Sequence, residues 1–369
     1  MSSTKRTNSL GSQIGPFLMD QRAFVALIVL ICVFWSMSDT FLTVTNVIIM
    51  TKHVAYNAIL ALGMLLVILT GGIDLSIGAT MCLSGIVAGA LLQNGIALNF
   101  MDKVGYPAAW AVIVFALAIG TLVGWINGLL VTRFGVAPFI ATLGTMYMAR
   151  GTALIMSNGV TYSKLGGSHE LGNTGFLLIG SSKILGVPTV VWVMVVFAVA
   201  IWILTARTPF GRWLYATGGN ERAAALSGVP VFRVKSWVYM ISGFCAATVG
   251  VCMVSELTSV NGDLGTSFEM NAIAAVVIGG ASLAGGRGGV KGTLVGAFVI
   301  GFLADGLVNI KVNTFWQTFI KGLVIVLAVI LDQAQEKLKN RRAAAAAAAS
   351  VRTIAAGTQE EAPQATTTA

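Results

Sequence analysis

The residues best suited to chemistry are the few ionisable ones that fall inside apolar stretches. Asp74 is the most informative, in Gly71-Gly72-Ile73-Asp74-Leu75-Ser76-Ile77-Gly78. A carboxylate at the centre of a membrane span costs roughly 2.5 to 3.5 kcal/mol, so it is normally partnered or open to a water-filled path. The glycines permit a sharp break, after which Asp74 or Ser76 can cap the following helix. Capping and a polar role near a permeation path both fit. Arg150 and Lys321 are the other charges inside apolar segments; each snorkels, pairs with a carboxylate such as Glu256 or Asp305, or touches solute. Cys32, Cys82, Cys245 and Cys252 are scattered through apolar sequence that has only two histidines, which supports neither a disulfide framework nor a metal site. No G-x-x-x-x-G-K-[ST] phosphate loop occurs. The nearest approach, residues 285–293, reads G-G-R-G-G-V-K-G-T, with Gly292 between Lys291 and the hydroxyl of Thr293.

The elements that position these residues are membrane helices. Of 369 residues, 56% are hydrophobic and 10% charged, against about 25% charged in soluble proteins. A spanning helix needs about 20 apolar residues. Ten stretches meet or approach that length, near 23–40, 53–70, 75–94, 108–131, 137–156, 188–206, 236–257, 269–284, 292–309 and 314–331. The expected fold class is therefore all-α: a polytopic membrane protein of about ten transmembrane helices, with glycine-rich breaks around 71–78 and 279–292 that turn or re-enter. The net charge of +9 comes from basic residues that form no stripe with interleaved aromatics, so nucleic acid is not an expected partner. It reads instead as topology. With both termini in the cytoplasm, sixteen Lys and Arg fall inside and five outside, the bias that membrane insertion favours.

Residues 1–22 are expected to be a cytoplasmic N-terminal segment, 23–335 the transmembrane domain, and 336–369 a cytoplasmic, disordered or weakly helical tail. Ser36-Met37-Ser38-Asp39 after Trp35 lacks an A-x-A cleavage pattern, so the first apolar segment reads as an uncleaved helix. The 43 glycines divide into close-packing pairs, Gly120 with Gly124 and Gly292 with Gly296, and breaks such as Gly279-Gly280 and Gly285-Gly286.

The longest cytoplasmic loop, 207–235, predicts a short helix. Asn220 suits an N-cap, the run from Glu221 to Leu226 favours helix, and Gly228 with Pro230 stops it, which leaves a helix between two glycine hinges. Such an element either fits a groove in a soluble partner or merely connects two spans.

Here a family resemblance becomes specific. Residues 208–230 resemble the coupling loop of the ribose-type sugar permeases of bacterial ATP-binding cassette (ABC) importers, with their F-G-R, Y-A-x-G-G-N and A-A-x-x-S-G-I/V pattern. Residues 272–286 resemble the same family's A-I-A-A-V-V-I-G-G-T-S-L-x-G-G. Residues 71–78, and Thr142-Leu143-Gly144 followed by Arg150-Gly151, also match, so the likeness extends over roughly 45–335. Family members often carry Glu-Leu-Asp where this chain has Glu269-Met270-Asn271.

The resemblance implies a multi-pass inner-membrane permease in contact with lipid, paired with a second permease copy, with cytoplasmic ATPase subunits and with a periplasmic sugar-binding protein. It assigns ATPase coupling to Arg212, Gly218, Gly219, Asn220, Glu221, Ala223, Ala224 and Gly228. No cofactor is expected on this chain; ATP and Mg belong to the partner ATPase, and the chain itself does no covalent chemistry. A neutral monosaccharide or polyol would be passed along weak hydrogen-bonding groups, for which Asn57, Asp74, Ser76, Thr142, Asn271 and Gln317 are candidates. A branched-chain amino acid permease of the same broad class is one alternative. The other is an ion-coupled secondary transporter, which the scarcity of intramembrane carboxylates disfavours.

Overall fold

The structure, a computed structural model, describes residues 22–98, 103–167, 172–327, 329–330 and 333–334. The expectations for residues 1–21 and for the tail from 336 lie outside them. Contacts divide the chain into one unit up to Gly322 and a second from Leu323 onward; the first carries all the candidate residues.

The helices are α1 (Arg22–Met37), α2 (Val44–Leu69), α3 (Ile77–Gln93), α4 (Ala109–Thr132), α5 (Pro138–Ser157), α6 (Leu177–Gly180), α7 (Thr189–Arg207), α8 (Pro209–Gly219), α9 (Glu221–Leu226), α10 (Val231–Leu257), α11 (Phe268–Ile278) and α12 (Val290–Asn309), followed by α13 (Thr314–Leu327). Among the described residues, six helices are long and apolar enough to cross a membrane: α2, α4, α5, α7, α10 and α12. Four shorter apolar helices, α1, α3, α11 and α13, complete the set. Each of the ten predicted stretches overlaps one of these helices. Three two-stranded ribbons connect them, including Tyr162–Ser163 paired antiparallel with Ser259–Val260.

The core lies along α2, α3 and α10. Every residue of α2 from Val54 to Leu69 is buried, as is every residue of α3 from Ile77 to Gly89. Such helices are apolar all round because neighbouring helices, not lipid, surround them. Both glycine pairs work as the sequence suggests. Gly120 and Gly124 on α4 meet Gly243 and the Tyr239 carbonyl on α10, while Gly292 and Gly296 on α12 meet Gly279 and Ala275 of α11. Small residues let these backbones touch.

Two predicted boundaries move. Helix α2 begins at Val44, nine residues before the predicted stretch, and so includes Lys52 and His53. These polar side chains stay in the helix because Lys52 pairs with Glu256 of α10 and His53 Nδ1 lies 2.8 Å from Asp305 of α12. The stretch predicted over 269–284 ends instead at Ile278, where Gly279 caps α11 and Gly280 takes φ +88°, an arrangement that favours glycine.

Candidate functional site

One end of the bundle carries residues 208–230, folded as a helical hairpin. Thr208 opens α8, its hydroxyl accepting from Gly211 N–H at 3.4 Å, with Pro209 in the first turn; proline there loses no helical hydrogen bond. Asn220 caps α9, its side chain accepting from Ala223 N–H at 3.0 Å. Sequence reasoning found α9 but missed α8. Gly218 and Gly219 are not a hinge, because they form the last turn of α8; of the predicted hinge glycines only Gly228, at φ +83°, marks a reversal.

Leu214 and Thr217 turn inward with Gly211, whereas Arg212, Asn220, Glu221, Arg222 and Ala223 face outward and Leu226 is 91% exposed. Ala224 is buried and Gly219 has open space beside it. Glu221 forms an ion pair of 2.6 Å with Lys235 at the start of α10.

The inner side of the hairpin is locked to the bundle. Gly218 packs on the Leu69 carbonyl and on Gly286 N so tightly that a Cβ has no room. Gly286 N–H donates to that same carbonyl at 3.0 Å. The Tyr215 hydroxyl donates to the Gly288 carbonyl at 2.9 Å, and partial burial raises its pKa above the ordinary phenol value, so it remains a donor. The hairpin therefore touches both glycine-rich breaks in the helical frame: the end of α2 and the segment between α11 and α12.

Beyond the end of α2 lies a buried polar cluster. Asp74 Oδ1 accepts from Ser76 N–H at 3.0 Å and from the Ser76 hydroxyl at 2.6 Å. Asp74 Oδ2 accepts from the Ser242 hydroxyl of α10 at 2.8 Å. Asn127 of α4 donates to Ser76 Oγ at 2.8 Å and accepts from the Thr145 hydroxyl of α5 at 2.6 Å. Thr142 donates to the Ile73 carbonyl at 3.1 Å. A directional chain thus runs from Thr145 through Asn127 and Ser76 to Asp74, and all five side chains that meet around the carboxylate are buried. Three donors shared between its two oxygens are what make this buried carboxylate tolerable.

This corrects the capping expectation. Ser76 occupies the N-cap position of α3, but neither it nor Asp74 makes a side-chain cap to the first turn; the carboxylate ties the break to α10 instead. The structure brings Asp74, Ser76 and Thr142 together. Asn57, whose Nδ2 donates to His53 O at 3.0 Å, Asn271 in the first turn of α11, and Gln317, which donates to Val312 O at 2.8 Å, lie outside the cluster. Asn127, Thr145 and Ser242 were missed, although one signal was present: Asn127 is the lone amide in an otherwise apolar span.

Arg150 pairs with neither Glu256 nor Asp305. Its Nη1 donates to the carbonyls of Gly262 at 2.6 Å and Leu264 at 2.8 Å, while Glu256 is held by Lys52 and by the Tyr56 hydroxyl. Among the described residues no group of three or more His, Cys, Asp and Glu is arranged to hold a metal ion.

Comparison with known proteins places this architecture. Residues 45–329 match the family model for the permease component of branched-chain amino acid transport systems. A ribose import permease of Haemophilus influenzae is 41% identical, the match covering 87% of this chain and 95% of that protein. The ribose import permease of Bacillus subtilis is 41% identical over 87% of this chain and 92% of its own length. A galactose/methyl galactoside import permease of Haemophilus influenzae is 34% identical over 85% and 94%. No solved structure matches. The helical frame, the locked hairpin and these likenesses agree: the chain belongs to the family of ABC-importer permease components that contains the ribose-type import permeases.

Proposed function

We propose that this chain is the membrane-spanning subunit of an ATP-driven importer for a monosaccharide or related polyol. It crosses the inner membrane ten times with both termini in the cytoplasm. It pairs with a second permease copy, receives solute from a periplasmic binding protein, and is driven by separate ATPase subunits that bind ATP and Mg. The observation that carries the coupling reading is the contact of Gly218 with Leu69 and Gly286. A push on the exposed face of α8 and α9 reaches, through rigid backbone, two of the places where the frame is not continuous helix. Bistable packing of this kind turns a small displacement into reorientation of spans.

The sugar reading rests on relatives named for ribose and galactose at 34% to 41% identity, which outweighs the amino-acid wording of the broader family description. The test is a thermal-shift ligand screen on the binding protein encoded beside this gene, followed by uptake into vesicles containing the assembled complex. A sugar that stabilises the binding protein and enters in an ATP-dependent manner supports the reading. A branched-chain amino acid doing so, or uptake by this chain alone under an ion gradient, refutes it.

A further inference from the structure

Between α10 and α11 the chain runs down the inside of the bundle without forming a helix. Val260 packs against Gly89 of α3, Cys82 lies 3.3 Å from the Gly262 carbonyl, and Gly265 meets Gly78. From Gly89 to Gly78 is eleven residues of helix, or about 16 Å at 1.5 Å per residue. Arg150, which holds Gly262 and Leu264, is seven residues inside the end of α5, a helix long enough to span, or about 10 Å deep. This irregular segment therefore descends toward the middle of a hydrocarbon core about 30 Å thick, and α11 starts from its lower end.

One side of the segment is built into the protein: Gly262, Leu264 and Gly265 are buried. The other side presents Asn261, Asp263, Thr266 and Ser267, all exposed, with Asn271 continuing the face one turn along. Asp263 forms no ion pair among the described residues. Lipid does not tolerate this surface. Non-helical backbone at membrane depth is found only where it is buried in protein or lines water, and an unpaired aspartate facing lipid adds roughly 2.5 to 3.5 kcal/mol. Helix contacts between membrane subunits favour small and apolar residues instead.

We propose that Asn261, Asp263, Thr266, Ser267 and Asn271 line the aqueous path of the solute, and that their amide, carboxylate and hydroxyl groups exchange hydrogen bonds with a neutral polyhydroxylated molecule. The proposal rests on the permease reading above and adds the surface that does the passing. Arg150 is the positioning residue that keeps the strip in place.

The test uses assembled complexes in which the four native cysteines are replaced and single cysteines are introduced as Asn261→Cys, Thr266→Cys and Ser267→Cys, with the buried Leu264→Cys as reference. A charged, membrane-impermeant methanethiosulfonate should modify the three strip positions roughly tenfold or more faster than Leu264→Cys, as water-lined backbone requires, and the transported sugar should slow the reaction. Modification only by a lipid-soluble maleimide, or spontaneous disulfides between two copies, overturns the aqueous path and leaves the permease reading intact. Modification that no sugar alters, in complexes that transport none, keeps the path and removes the sugar.

Discussion

Gly218 rests directly on the carbonyl of Leu69. The contact joins the surface hairpin to the end of the most buried helix, and a side chain at 218 must separate them. Gly218→Ala is therefore expected to cost about 1–3 kcal/mol through overpacking, seen as a lowered unfolding temperature of the purified complex. Gly219→Ala, with open space around it, leaves that temperature unchanged. Equal effects at the two positions would show that the packing at Leu69 is not what matters.

Tyr215 offers a gentler cut in the same link. Tyr215→Phe removes one hydrogen bond to Gly288, worth about 1 kcal/mol, and is expected to lower the sugar transported per ATP hydrolysed while the fold persists. Because burial raises the phenol's pKa, the hydroxyl donates at neutral pH and beyond its usual limit. The ratio of wild-type to Tyr215→Phe transport should therefore stay constant between roughly pH 6 and 9, a range below the ordinary phenol pKa of about 10.

The Asp74 cluster predicts a graded series. Ser242→Ala removes one donor to the carboxylate and leaves Oδ2 unpaired, at a cost of about 1–3 kcal/mol. Asn127→Ala breaks the chain on the other side, removing the donor to Ser76, while the Thr145 hydroxyl keeps the Ala141 and Thr142 carbonyls as acceptors, so the loss should lie toward the lower end of that range. Their combination should depart from additivity because the two share Asp74 and Ser76 in one network. Simple addition in thermal or denaturant unfolding would mean that the groups act separately.

Much of this frame is legible in the sequence. Apolar runs locate the helices, and Asn220 to Leu226 reads as a capped helix because its signals are local. Helix α8 escapes notice because Pro209, Gly211, Gly218 and Gly219 resemble loop punctuation; they are tolerated since proline occupies the first turn and the glycines serve close approach. Partners distant in sequence are hidden for a different reason. Arg150 could be expected to find a carboxylate, yet what meets it are carbonyl groups of an irregular segment over a hundred residues away, and backbone acceptors have no sequence signature. Asp74 likewise reads as a cap because Ser242 is invisible until α10 is packed against the break.

At the opposite end, Lys52, Glu256 and Tyr56 form a partly buried group. Lys52→Met leaves the Glu256 carboxylate without its counter-charge and is expected to cost about 1–2 kcal/mol, less than a fully buried pair because both side chains keep some contact with solvent. Lys52→Met combined with Glu256→Gln should recover part of the loss. A double variant weaker than the sum of the single ones, in thermal unfolding, would contradict the pairing.

We propose that an ATPase drives this chain through the hairpin of α8 and α9. The most direct measurement is ATP-dependent uptake of labelled sugar, with stimulated ATPase activity recorded in parallel, in vesicles carrying the full complex with wild-type chain or Gly219→Trp. Residue 219 faces open space, so the indole leaves the permease folded and obstructs only what docks there. The account predicts that uptake and stimulated hydrolysis both collapse while the unfolding temperature of the isolated permease holds. Undiminished, ATP-dependent uptake by Gly219→Trp would contradict it.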